Sequence, residues 1–274
     1  MAKRPQKLPA KEPCTSCNSP FTVCFLGTGG FMSSRKITSF IINGHILFDV
    51  GFGVVNSLRE NGLDVGDIDT LVISHHHPDH TGDIMYFLIR RWQFFLHDKL
   101  QNKQLTIIGP KGIKETIFAY HDVANLRDNK DEIRPLIEHI EMIIENIIEL
   151  GDGENHEMPN LKIDAFSVTH STSLTCNGYI ITIAPGNARI GCSGDTCYCS
   201  SLVNNLKYSD FWIIDGAHLT ERNSKRHISL EKIIKIAAEY PDKKFYCVHR
   251  DDYEIPKLPP NVFCPQDNDY CCLE

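Results

Sequence analysis

The chain has 274 residues, 42% hydrophobic and 23% charged, with a formal net charge of -7. That composition suits a globule with a substantial buried core, and no apolar run approaches the roughly 20 residues that span a bilayer. The acidic balance argues against a protein whose main work is gripping a long phosphate backbone.

The opening residues, MAKRPQKLPAKEP, are basic and proline-rich and carry no apolar signal-peptide stretch. Residues 1–20 therefore read as a flexible leader, residues 21–274 as a single domain, and the chain as cytoplasmic. Eleven cysteines without a signal sequence fit a reducing compartment, with thiols rather than disulfides. Cys14-x-x-Cys17 and the late Cys264, Cys271 and Cys272 could form a four-thiolate zinc site only if the termini meet. A single C-x-x-C without a second spaced pair is weak, so scattered thiols are the favoured reading.

In chain order, FTVCFLGTGG (21–30) reads as a strand and a glycine turn. Ile37–Ile42 and His45–Val50 read as a hairpin around Asn43-Gly44, a favoured two-residue turn. VVNSLRENG reads as a helix ending at Gly62. Thr70-Leu71-Val72-Ile73 is apolar and β-branched, as a buried strand should be. A buried helix is expected from Gly82 to about Phe95, a strand and turn over residues 105–112, and two longer helical stretches up to the break at Gly151-Asp152-Gly153. The second half alternates again. Leu161–Thr169 is a strand ending at His170, and Tyr179–Ala184 and Arg189–Cys192 form a hairpin that ends at Ser193-Gly194-Asp195. Phe211–Asp215 is a short buried strand, Ser229–Tyr240 a helix capped by Ser229, and Phe245–Val248 a strand ending at His249. The alternation implies an α/β class with two packed sheets flanked by helices. No internal sequence repeat is present.

The stretch SHHHPDHTGD (74–83) holds four histidines and two aspartates at the end of a strand, where many α/β sites lie. An internal run broken by Pro78, Asp79 and Gly82 is not a purification tag, and a solvated surface loop does not explain the buried strand before it. Around an extended strand end, residues i and i+2 point the same way, so His75 and His77 can reach one ion. Asp79 and His80, after the turn at Pro78, can face a second position. His76 then points away and is structural. Nitrogen and carboxylate donors suit zinc, manganese or iron. A lone histidine is more often packed and hydrogen-bonded than a ligand. Here His75, His77, His170, Asp195 and His249 all stand at strand ends, which points to a metal site along one edge. Cys192, Cys197 and Cys199 flank it and are given no catalytic role.

The ordered set FLGTGG, ILFDVGFG, SHHHPDHTGD, VTHS, SGDT, RHISLEKIIKIAAEY and CVHR resembles the RNase Z-like branch of the metallo-β-lactamase superfamily, over about Phe21 to Arg250. The resemblance implies an αββα sandwich and two divalent ions, zinc first and manganese second. It implies that His75, His77 and His170 hold one ion, that Asp79, His80 and His249 hold the other, and that Asp195 bridges them. It makes His227 the catalytic histidine, with Asp215 its nearest acidic support, Asp79 within the catalytic set, and His218 a rival proton donor. His218 and Ser171 are the expected substrate-binding residues.

The implied activity is hydrolysis of a phosphodiester. Members of the branch that carry an exosite insert an RNA-gripping arm between the positions of His170 and Asp195. Here only Ser171–Gly194 lies there, and a hairpin fills it. Together with the negative charge, this favours a small cyclic nucleotide or related cyclic phosphodiester, including the signals of bacterial antiviral defence that some members of the branch dismantle. A tRNA 3′-processing endonuclease acting on RNA is the alternative. Another hydrolase or a non-catalytic sensor on the same fold ranks lower, because the full ligand set accompanies a candidate acid. No membrane partner is expected. The resemblance, with the bulk of Met85, Tyr86, Phe87 and Leu88, predicts a homodimer.

Overall fold

A computed structural model of the chain describes residues 21–97, 105–125, 142–184, 188–221 and 226–273. The chain builds two seven-stranded sheets. The first contains β1 (Phe21–Gly27), β2 (Ser39–Ile42), β3 (Ile46–Phe48), β4 (Thr70–Val72), β5 (Leu105–Pro110), β6 (Ile144–Leu150) and the late β14 (Asp269–Leu273), in the order β14-β1-β2-β3-β4-β5-β6. The second runs β13-β12-β11-β10-β9-β8-β7, formed by β7 (Asn155–Met158), β8 (Leu161–Ser167), β9 (Asn177–Ile183), β10 (Ala188–Cys192), β11 (Phe211–Asp215), β12 (Lys244–Val248) and β13 (Val262–Phe263).

The β2–β3 hairpin turns at Asn43 and Gly44, with φ of 51° and 75°. Both lie in the left-handed region that a turn of this hand requires. Helices α1 (Val54–Glu60), α2 (Pro78–Thr81), α3 (Ile84–Leu96) and α4 (Ile113–Asn125) belong to the first half, and α5 (Ser200–Asn205) and α6 (Leu230–Glu239) to the second. As its sequence suggests, Ser229 caps α6 by accepting a hydrogen bond from the Lys232 backbone N–H.

Three apolar layers follow from the alternation of the strands. Phe25, Phe40, Phe48 and Val72 from the first sheet meet Tyr179, Ile181, Ile213 and Tyr246 from the second. Burying each such side chain contributes about 1.5–3 kcal/mol. The outer face of the first sheet packs on Val55, Leu58, Ile84, Phe87 and Leu88. The outer face of the second packs on Leu202, Leu230, Ile233 and Ile236. This is the expected αββα sandwich of two mixed sheets.

Two expectations are corrected. Residues 144–150 are strand β6, not helix. Ile143, Ile144, Ile147 and Ile148 satisfy a helical period, but β5 offers an open edge and β6 pairs with it in parallel, satisfying backbone groups that a helix there would leave bare. The other correction is that Cys272, on the edge strand β14, is disulfide-bonded, so thiols do not prevail there. Helix α3 is buried as expected, with Phe87 and Leu88 in the core, while Tyr86 is exposed. The leader with Cys14 and Cys17, most of the second helical stretch, and the tip of the β9–β10 hairpin lie outside the described residues. Among the described residues, no helix is long and apolar enough to cross a membrane.

Candidate metal centre

The turns after β4, β8, β10 and β12 all open on one rim of the sandwich. The chain there adopts backbone that few residues tolerate. Five described non-glycine residues have positive φ; three are asparagines, and the other two are Asp49 and His249, both at 57° and both at this rim. Gly194 (φ 57°) immediately precedes Asp195, and a Cβ there would stand 2.9 Å from the Asn177 carbonyl oxygen and the Ser74 Cβ. Only glycine lets the two sheets approach at that turn.

The rim gathers the seven anticipated ligand residues into two groups: His75, His77 and His170, and Asp79, His80, Asp195 and His249. In the first, His75 Nε2 lies 2.9 Å and His170 Nε2 3.1 Å from His77 Nδ1. In the second, Asp195 Oδ2 lies 3.3 Å from His80 Nε2 and 3.2 Å from His249 Nε2, and Asp79 Oδ2 lies 3.5 and 3.4 Å from the same two nitrogens. The same Asp195 Oδ2 stands 3.9 Å from both His75 Nε2 and His170 Nε2. One carboxylate oxygen thus faces both groups.

Hydrogen bonds behind the rings set their tautomers. Ser74 Oγ donates to Asp49 Oδ2 (2.8 Å) and accepts from His75 Nδ1 (3.0 Å). His80 Nδ1 donates to Asp49 Oδ2 at 2.7 Å, and Asp49 Oδ1 accepts from the Ser74 backbone N–H, also at 2.7 Å. His170 Nδ1 donates to the Arg226 carbonyl at 3.0 Å. With Nδ1 so engaged, each of these three rings offers Nε2 inward as its ligand atom. Lone pairs about 3 Å apart repel unless a cation lies between them. The buried His80 Nε2 has no hydrogen-bond partner, and four donors at such separations match nitrogen and oxygen ligands about 2.0–2.2 Å from a zinc-sized ion. The residues present fit a pair of divalent ions.

The electrostatics differ between the two groups. Burial pushes the His75, His77 and His170 pKa values down, reinforced by neighbouring imidazoles, so these rings are in the neutral ligand form. Burial opposes ionisation of Asp79 and Asp195. The His249 and His80 imidazoles beside them outweigh it and hold both carboxyls below the usual range; the same carboxylates, with Asp49 beside His80, outweigh burial and raise the pKa values of His80 and His249, so these two rings would give up a proton to a cation.

Beside the second group, His227 Nδ1 donates to Asp215 Oδ2 at 2.8 Å. Asp215 also accepts from the backbone N–H groups of Thr196 and Ala217, at 2.9 and 3.0 Å. The His227 ring stacks on His249 (centroids 5.0 Å apart, planes at 12°) and stands 4.8 Å from the His170 ring. Burial disfavours its charged form, but the Asp215 carboxylate prevails and pushes its pKa up to about 9. His218 is 5.8 Å away ring to ring and bonds Asp251 Oδ2 at 2.8 Å. Ser171, next to His170, engages Ser173. His76 turns away to Thr116 Oγ1 and the Lys111 carbonyl, as its position suggested.

Sequence reasoning overlooked Asp49, Ser74 and Thr38, whose hydroxyl accepts from the His249 backbone N–H at 2.9 Å. Asp49 had a visible signal: it ends the apolar ILFD strand, the placement shared by the ligands themselves.

Compared with known proteins, the family of the anti-Pycsar protein Apyc1 matches residues 21–258. A ribonuclease Z from Agathobacter rectalis is 32% identical over 167 residues, covering 59% of this chain and 48% of that protein. The chain spans about half the length of such curated relatives. Among solved structures, the metallo-β-lactamase fold protein YhfI from Bacillus subtilis superposes with a TM-score of 0.67 at 16% identity, over 92% of this chain and 99% of that one. The human short-form tRNase Z gives 0.66 at 18% identity, over 91% and 98%. The fold is that of the metallo-β-lactamases, in their RNase Z-like branch.

Proposed function

The chain belongs to the anti-Pycsar Apyc1 family, and from that premise we propose that it is a metal-dependent phosphodiesterase that hydrolyses a small cyclic nucleotide to a monoester. The observation that carries the reading is the shared Asp195 Oδ2 between two ligand groups, with the His227–Asp215 pair stacked against one of them. His75, His77 and His170 would hold one ion, and Asp79, His80 and His249 the other, with Asp195 between; zinc suits this donor set best and manganese next. When bound, such a pair supplies an activated water and neutralises charge on the phosphoryl oxygens.

The chain's own residues supply the rest. Asp49 and Ser74 hold the ligand rings in place. Asp215 orients His227 and favours its protonated form, so that Nε2 can deliver a proton to the departing alkoxide. Without that proton the alkoxide is a poor leaving group. Ser171 and His218 border the same rim and would contact the rest of the substrate. The connection from His170 to Asp195 is occupied by β9 and β10, paired within the sheet, which supports a small substrate over a long RNA. The homodimer rests on family likeness and on the bulk of α3, of which Tyr86 is exposed and Phe87 and Leu88 are buried.

A panel of substrates tests the proposal: 3′,5′-cyclic and 2′,3′-cyclic nucleotides, bis-p-nitrophenyl phosphate and a tRNA precursor, with metal-loaded protein. Release of a nucleoside monophosphate from a cyclic nucleotide is expected. Cleavage of the tRNA precursor with no turnover of any cyclic nucleotide would instead establish the endonuclease.

A further inference from the structure

On the outer face of the second sheet, β12 and β13 run parallel, with Phe245 beside Val262 and Tyr246 beside Phe263. One more residue along that ladder brings Cys247 beside Cys264. Alternation places the two on one face: Phe245, Cys247, Val262 and Cys264 all belong to the apolar cluster with α6, whereas Tyr246 and Val248 face the inter-sheet core. Cys247 is buried and Cys264 partly exposed, and both are thiols. Neighbouring strands lie about 4.8 Å apart, within the roughly 4.4–6.8 Å between Cα atoms that a disulfide accepts.

A second, independent feature lies alongside. Arg250 is fully buried. Its Nη2 donates to the Pro265 carbonyl, but Nε and Nη1 have no hydrogen-bond partner among the described residues. A guanidinium stays charged when buried, and a buried charge calls for a counter-charge. Cys264 lies within its electrostatic reach. A hydrogen bond from Cys247, and then the charges of Arg250 and Arg35, lower the Cys264 pKa against the effect of burial. Burial raises those of Cys197 and Cys271.

We propose that Cys264 and Cys247 form a peroxide-sensitive thiol pair, with Cys264 the attacking sulfur and Cys247 the resolving one. The Cys264 thiolate attacks one oxygen of hydrogen peroxide. The O–O bond breaks, hydroxide leaves, and Cys264 becomes a sulfenic acid. The Cys247 sulfur then attacks that sulfur, the S–O bond breaks, and its proton leaves with the hydroxide as water. Two thiols are oxidised, one peroxide is reduced to two waters, and a disulfide joins β12 to β13 two residues before His249. Nothing in this depends on the identity of the substrate.

The test is peptide mapping of the whole chain after graded hydrogen peroxide, with remaining thiols alkylated. The expected product is a crosslinked peptide containing Cys247 and Cys264, lighter by about 2 Da than the two thiols, reversed by dithiothreitol, and formed at lower peroxide than any oxidation of Cys197 or Cys199. In Cys247→Ser, Cys264 should instead be trapped as a sulfenic acid by dimedone. Absence of the crosslink in the wild-type protein, or oxidation of Cys197 or Cys199 ahead of Cys264, would overturn the proposal.

Discussion

The two sheets contribute to the rim in opposite ways. The first supplies a contiguous block: the turn after β4 carries His75, His77, Asp79 and His80 within six residues, with Asp49 one strand away bonded to His80 and, through Ser74, to His75. The second supplies isolated residues, one per strand end: His170 after β8, Asp195 after β10, Asp215 at the end of β11 and His249 after β12. Yet it is the second sheet that contributes the oxygen facing both groups and the carboxylate behind His227. The pairing pattern is alike in both, with three antiparallel contacts followed by three parallel ones across each sheet. The lesson is that the conspicuous motif is the local half of the site, while the residues that join its parts arrive singly.

Substitutions can break that contrast. The largest effect is expected from Asp195→Ala. Elemental analysis should find both ions depleted, and turnover should fall by about a thousandfold or more, the loss of several kcal/mol of stabilisation. His77→Ala, by comparison, should empty one position and spare the other. The reverse pattern would mean that the dense motif, not the isolated aspartate, joins the two groups.

Next is His227→Ala. Metal content should be unchanged, and turnover of a cyclic nucleotide should drop by about a hundredfold. A substrate with a nitrophenolate leaving group, which departs without a proton, should be slowed far less. Equal losses on both would remove His227 from the acid role and shift attention to His218.

Asp49→Ala probes the support behind the first sheet's block. Because one carboxylate steadies both His80 and the Ser74–His75 link, metal affinity should weaken by about ten- to a hundredfold, measured by competition with a chelator. An unchanged affinity would show that the rings are held by packing alone.

The smallest effect is a displacement in pH. With its pKa raised to about 9 by Asp215, His227 carries its proton below that value and loses it as pH rises through it, so turnover should decline on the alkaline side. Asp215→Asn removes the charge that raises the pKa, so the alkaline limb should move to lower pH. A limb that stays in place would assign it to another group.

Much of this was legible from the amino acids alone, for local reasons. The Asn43-Gly44 turn, the Ser229 cap, the β-branched run before His75 and the strand ends at His170, Asp195 and His249 each express a preference contained within a few residues, and a ligand block six residues long fixes its own chemistry. What the tertiary structure decided depends on partners distant in sequence. Residues 144–150 became a strand because β5 needed a neighbour, overriding an apolar spacing that suits a helix just as well. Strand β14 closes the first sheet by pairing with β1, some 250 residues earlier. Helix α3 was expected to be buried, but only the packing decided that Phe87 and Leu88 face the core while Tyr86 stays outside. Asp49 gained its role only when the turn after β4 folded over it. Cys247 and Cys264 became neighbours only through a one-residue register between two short strands. Local propensity is written along the chain, whereas register and sheet order arise from backbone groups that must each find a partner, and the partner's address is nowhere in the segment that needs it.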